Sequence, residues 1–431
     1  MRKIAIIFVA IVLTAGMAYG QNYAYVLDGL AETISTIDLE SGEVTNAILN
    51  LGDVPNQVIY DNQRLYVVNS MSPSLMIIDP ATNTLEYEIP MPTNSNPWNV
   101  DVDEDYAYVT GMAANSVYIV NLDNGEILNT LSTGVSPEGV LVNDDRLYVT
   151  NTAFNPIDFS YGQGSVSVFN LTNNTEISRI NVGKNPQNLL IGPDGMLNVI
   201  CSGDYGANVG KVYFVDTWDL LAVDSLTLGG QPTVAVSDQA GIVYVAAGGW
   251  ADDGYIYSYN GNTHQVLHND SNPIEVNTGV MGLAIDSLGN IYAACQMANK
   301  VNKITSNGTV VDTYTMAMGS GPASIAIIDS RTDIDDPVSI PAEIALGPAY
   351  PNPFNGSTNL TIDGNVDDDA EIEIYDITGR LVNRLSISGS GSINHTVTWS
   401  GMDCYGNDVA SGIYFARLAG TAQTRKLVMI R

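Results

Sequence analysis

The chain has 431 residues, 47 Asp and Glu against 16 Lys and Arg, a net charge of −31, and 45% hydrophobic residues. That length holds more than one domain, and the charge repels a phosphate backbone, which excludes nucleic acid as a partner. The apolar residues recur in strand patterns, which excludes a disordered chain, and three cysteines, Cys201, Cys295 and Cys404, are too few for a disulfide framework.

Residues 1–20 read as a signal peptide. Arg2 and Lys3 form a charged start, Ile4–Leu13 an apolar run too short to span a bilayer, and Ala18 and Gly20 a cut site before Gln21. No later apolar run reaches the roughly 18 residues a spanning helix needs, so the mature chain is not expected to cross a membrane.

From 21 to 329 the chain repeats. RLYVTN at Arg146–Asn151 recurs in looser form at Tyr23–Asp28, Arg64–Asn69, Tyr106–Gly111, Met196–Cys201, Ile242–Ala247 and Ile291–Cys295, in steps of 40–50 residues. A period of that size made only of short strands marks a β-propeller. Each repeat opens on a first strand after a small polar-proline step, at Pro55, Pro97, Pro137, Pro186, Pro232 and Pro322, with Val280 in the sixth. Proline at a strand start gives up an N–H where the ladder needs it least. The chain begins at a second strand, Tyr23, and leaves on a first strand, Ala323–Ile328. One blade is therefore shared by both ends, and the count predicts a seven-bladed, all-β propeller of four-stranded blades. The LYVTN segment at Leu147–Asn151 and the NPQ, SPEG and GPAS steps resemble the YVTN-type (YncE-like) surface propellers, and that resemblance implies a secreted or surface binding module.

Residues 330–341 are polar, charged and proline-bearing, and read as a linker. Residues 342–431 alternate strand and turn signals over a length that fits a small immunoglobulin-like β-sandwich. Its motifs are Tyr350, Pro351, Asn352, Pro353, Phe354 and Asn355; Tyr375, Asp376, Gly379 and Arg380; Trp399, Gly401 and Gly406; and Gly412 and Tyr414. In this order they resemble the type A carboxy-terminal sorting domain of the type IX secretion pathway, which shares its fold with flagellar-hook-cap domains. The resemblance implies a partner, the type IX machinery, and passage through the periplasm to the cell surface or medium.

Candidate chemistry is sparse. His264 and His268, four apart on an expected fourth strand, would face one side but make a poor zinc site without a third ligand. Asp101, Asp103 and Asp105 have Tyr106 where a calcium loop wants glycine, and equivalent turns carry acids or amides, so turn chemistry explains them. No phosphate, nucleophile-elbow or dinucleotide motif occurs, and neither a metal nor a cofactor is implied. Counted by their second strands, the fourth to sixth repeats have the longest loops between second and third strands. They bring Phe154, Tyr161, Asp204, Tyr205, Trp250, Asp252 and Asp253 to the face where Trp98 and Glu138 meet the central channel. Aromatics beside carboxylates suit a glycan or a protein ligand. The reading is a non-enzymatic exported binding protein; a propeller enzyme of lactonase or quinoprotein type and a structural surface-layer component are the alternatives.

Overall fold

A computed structural model describes residues 22–103, 105–247, 254–329, 345–363, 371–377, 380–387, 394–418 and 424–430. The expected signal peptide (1–20) and linker (330–341) lie outside them. Two units separate, up to Thr332 and from Asp333.

The first unit is a ring of antiparallel sheets. Its second strands, such as Arg64–Asn69 and Arg146–Asn151, are buried on both faces. Side chains alternate sides along a strand, so Leu65 and Val67 join one apolar cluster while Tyr66 and Val68 join the next. This explains why the repeat reads as an unbroken apolar run. Each interface between neighbouring sheets holds one such cluster, and each fully buried Val, Leu or Ile contributes about 1.5–3 kcal/mol. The repeat tyrosine bolts sheets together. Tyr25 donates to the Pro80 carbonyl of the next sheet at 2.9 Å, and Tyr244 to that of Ser306 at 2.9 Å. Where Asn198 replaces it, the bond reverses and Tyr259 donates to Asn198 Oδ1 at 2.6 Å.

The inner strands Pro55–Asp61, Pro97–Asp103, Pro137–Asn143, Pro186–Ile191, Ala235–Ser237, Val280–Ile285 and Pro322–Asp329 pack in succession, and the last meets the first. Closure comes from both ends of the unit: Asn22–Asp28 pairs with Pro322–Asp329, Asn22 opposite Asp329. A left-handed residue precedes most inner strands: Val54 (φ 55°), Asn96 (50°), Ser136 (53°), Asn185 (53°), Gly279 (80°) and Gly321 (60°). Its carbonyl accepts a bond from the end of the same sheet's second strand, as Ser70 N to Val54 O at 3.0 Å and Ser202 N to Asn185 O at 2.9 Å. The polar-proline step is thus a chain reversal with a fixed partner.

The repeat expected to open at Pro232 departs from expectation. Its inner strand opens at Ala235, not Pro232, and the left-handed residues before it are Gly229 and Gly230. Its fourth strand is split into Val266–His268 and Ile274–Val276, both paired with Gly254–Asn260.

The second unit is a sandwich of a three-stranded and a four-stranded antiparallel sheet. The first orders Ala345–Tyr350, Thr358–Asp363 and Asn394–Trp399; the second orders Leu381–Ser386, Glu371–Asp376, Gly412–Leu418 and Thr424–Met429. Trp399, fully buried, centres the core between Phe354 at 5.5 Å and Tyr414 at 5.1 Å.

Candidate functional site

The loop after Arg146–Asn151 folds on itself. Phe154–Asn155 pairs with Ser160–Tyr161, Ala153 and Phe159 are left-handed, and Asn155 Oδ1 accepts the Ile157 N–H at 3.0 Å. This small hairpin packs its aromatics at a tilt: Phe154 lies 5.2 Å from Tyr161 and 6.1 Å from Phe159. Tyr161 then meets Tyr205, from the loop of the next sheet, at 5.7 Å. The Tyr205 hydroxyl accepts from Asn185 Nδ2 at 3.3 Å and Gln187 Nε2 at 3.5 Å. The result is an aromatic ledge bridging two loops.

Glu138 lies on the inner strand whose Gly139 packs against Gln187, the residue that reaches Tyr205. It sits in a bulge of Pro137–Asn143, where the register slips between Pro137 and Val140. Thr110 Oγ1 donates to its backbone carbonyl at 2.8 Å, and the next residue must be small, since a Cβ on Gly139 would lie 2.7 Å from the Gln187 carbonyl oxygen. The Glu138 residue is only 5% exposed, and burial pushes its carboxyl up to about 8. Among the described residues no donor bonds its carboxyl oxygens. Desolvation first, then the charges of Tyr205 and Glu138, raises the Tyr161 phenol. Burial likewise raises that of Tyr205, with the Glu138 charge adding to it.

The fold therefore gathers Glu138, Phe154, Tyr161 and Tyr205. Both carboxylate oxygens of Asp204 are engaged within its own loop and by Lys184: Asn208 N donates at 2.9 Å, Gly206 N at 3.2 Å and Lys184 Nζ at 3.1 Å. Those bonds, the Asn208 amide foremost, hold its carboxyl well below the usual range. Trp98 is half-buried on the neighbouring inner strand, with no ring contact to the ledge among the described residues. Trp250, Asp252 and Asp253 lie outside the described residues. Asn185 and Gln187, which orient Tyr205, belong to the NPQ step; the equivalence of Asn185 to Asn96 in the repeat was the available signal.

The expectation that His264 and His268 share a side is overturned. His264 is left-handed in a turn (φ 58°), stacks on Phe214 at 3.5 Å and bonds Asp194 Oδ2 at 2.9 Å, while His268 bonds Ser258 Oγ at 2.7 Å. His264 belongs to the turn and only His268 to the strand Val266–His268, so the period of two on which the expectation rested does not run between them. Asp101 is likewise structural: it accepts the Val142 N–H of the neighbouring strand at 2.7 Å, and burial lifts its carboxyl to about 6.

The terminal unit uses its motifs as fasteners. Asn352 clamps the last strand through Nδ2 to Lys426 O at 2.7 Å and Oδ1 from Val428 N at 2.8 Å. Phe354 enters the core, Arg380 Nε pairs with Asp376 at 2.9 Å, and Trp399 Nε1 donates to Met402 O at 2.9 Å. Gly401 (φ 65°) and Gly406 (79°) permit the turns beyond Trp399, and the Tyr414 hydroxyl, on the strand that Gly412 opens, donates to Ala410 O at 2.7 Å. Pro351 and Pro353 follow cis bonds in the loop from Tyr350 to Asn355, and Arg417 lies over Tyr375 at 5.0 Å. Gly379 lies outside the described residues.

Residues 348–430 match the family model described as the secretion system C-terminal sorting domain. The terminal unit is a sorting domain. The chain is accordingly exported through the type IX route to the cell surface or extracellular space. No curated protein matches the sequence. Among solved structures the chain is similar to a putative 6-phosphogluconolactonase from Bacteroides uniformis, at 14% identity over 72% of this chain and 100% of that one, with a TM-score of 0.56. A quinonprotein alcohol dehydrogenase-like protein from Bacteroides thetaiotaomicron aligns at 17% identity over 72% and 79%, with a TM-score of 0.54. A functionally unknown protein from Desulfotomaculum acetoxidans aligns at 15% over 71% and 98%, with a TM-score of 0.56. These likenesses carry the fold: an all-β propeller. Among the described residues no helix is long and apolar enough to cross a membrane, and no cluster of three His, Cys, Asp or Glu residues stands ready for a metal.

Proposed function

We propose that the ring is a non-enzymatic recognition module of the YVTN type, exported by its sorting domain to bind a glycan or protein. The observation that supports this most is the aromatic ledge of Phe154, Tyr161 and Tyr205, held by the long loops of two adjacent repeats beside buried Glu138. Loops set on a rigid scaffold are where recognition concentrates, and half-exposed aromatic rings at a polar pocket are frequent anchors. The test is a glycan and protein array probed with the exported chain and with Tyr161→Ala and Tyr205→Ala. Either substitution should weaken the bound ligand by tenfold or more; undiminished binding would move the site elsewhere.

One feature favours a second reading, an enzyme of the lactonase or quinoprotein type. A carboxylic acid that keeps its proton up to about 8 suits a general acid. Turnover of lactone or alcohol substrates that disappears in Glu138→Gln would establish it.

A further inference from the structure

We propose that the ledge receives an alkylammonium group, with the ring faces of Tyr161 and Tyr205 against the cation and Glu138 as its counter-ion. The inference rests on the recognition reading above and names its ligand chemistry. Three observations converge. The Glu138 carboxyl is buried at a fixed bulge, and no donor or cation among the described residues meets it. The tilted rings of Tyr161 and Tyr205 meet at 5.7 Å across two loops, and Gln187, whose carbonyl lies against Gly139 beside the acid, reaches the Tyr205 hydroxyl; a cation over an aromatic face is attracted by its quadrupole. The chain as a whole carries −31, a field that concentrates cations.

The site supplies one half of an ion pair, on a residue 5% exposed, and a largely buried carboxylate without a partner is unfavourable. Burial foremost, and the Glu138 charge with it, raises both the Tyr161 and the Tyr205 phenol. Asp101, Asp103, Tyr106, Tyr108, Arg146 and Tyr148 align with the opposite end of the strand, beside Leu141, Val142 and Asn143. Lys184 and Asp204 neutralise each other on the next loop, and Asp158 is occupied by Ser160. The acid therefore awaits an external cation. Binding converts the carboxylic acid and the ammonium into a carboxylate–ammonium pair and releases one proton to solvent, with no other bond made or broken.

The experiment titrates the full exported chain with n-butylammonium, with n-butanol as the uncharged control, and with a short lysine-containing peptide, by calorimetry in buffers of different ionisation enthalpy. Butylammonium should bind and butanol should not, about one proton should leave per ligand near neutrality, and affinity should rise about tenfold per pH unit up to the carboxyl's titration and then level. Glu138→Gln should abolish both the pH slope and the proton release and weaken binding at least tenfold; Tyr205→Ala should weaken binding while keeping the slope. Much tighter binding of the peptide would identify a protein as the source of the cation. Equal binding of butanol, absence of proton release, or Glu138→Gln behaving as wild type would overturn the proposal. An array ligand lost in the tyrosine variants but indifferent to Glu138→Gln and pH would sink this inference alone. An array ligand indifferent to the tyrosines would sink the broader reading alone, provided butylammonium still binds as described.

Discussion

Replacing Glu138 with glutamine should stabilise the ring, and by an amount that grows with pH. The unfolded carboxyl titrates at its ordinary value of 4.5, whereas burial in the folded ring lifts it to about 8. Between those limits the folded state holds one proton more than the unfolded state. Stability contributed by this group is therefore complete below pH 4.5 and falls as pH rises through about 8. Each pH unit in that window removes about 1.4 kcal/mol, so about 3 kcal/mol is lost between pH 5 and pH 7. Glutamine keeps the shape and does not titrate, and any penalty of burying its amide is the same at every pH. Urea denaturation of both full-length chains at pH 5, 6, 7 and 8, followed through the ring's transition, gives the difference directly. Asp101, whose carboxyl is also lifted by burial, is common to both and cancels. A difference that stays constant with pH, within about 0.5 kcal/mol, would refute the placement of an ionisable acid in a site this buried.

Other substitutions probe other parts of the account. Val54 is a β-branched residue at φ 55° where the same step elsewhere carries Asn96 and Asn185; Val54→Asn should stabilise the ring by roughly 1 kcal/mol in denaturant titrations, because asparagine tolerates that conformation. Trp399→Ala should cost the sorting domain about 3–5 kcal/mol, unfold it in near-ultraviolet circular dichroism, and leave the chain in the periplasm. Tyr350 and Tyr405 are 80% and 85% exposed. Serine at either should leave the sorting domain's stability within about 0.5 kcal/mol yet reduce export; unchanged export would show that the machinery reads another face. Burial pushes the Cys295 thiol up to about 12 and that of Cys201 higher still, while Cys404 is exposed. A thiol reagent should thus modify Cys404 alone until the ring unfolds.

Much of the ring could be read from the sequence because one physical pattern repeats. Second strands such as Arg146–Asn151 serve two interfaces at once, so their apolar runs stand out, and starting the chain on such a strand at Tyr23 dictates a shared sheet. The site was legible in composition but not in geometry. The long fourth loop announced aromatics, yet nothing in its spacing said that Phe154 and Tyr161 would pair across a hairpin of two-residue strands. Asp204 looked available for a ligand because local hydrogen bonds to Asn208 and Gly206 leave no sequence period. The histidines misled for a similar reason: a single left-handed residue at His264 resets the alternation. In the sorting domain the motif residues are mostly structural, with Asn352 tying down the tail and Trp399 filling the core, so the motif specifies a fold before it specifies a destination.

The pairing of Asn22–Asp28 with Pro322–Asp329 also sets a schedule. A chain emerging amino end first holds the outer part of that sheet as an unfinished edge until Pro322–Asp329 arrives, and only then does the ring lose its exposed ladder. The sorting domain follows that strand in the polypeptide. A prematurely terminated product, which lacks the closing strand, also lacks the address, so the order of segments alone keeps incomplete rings from being sent out of the cell.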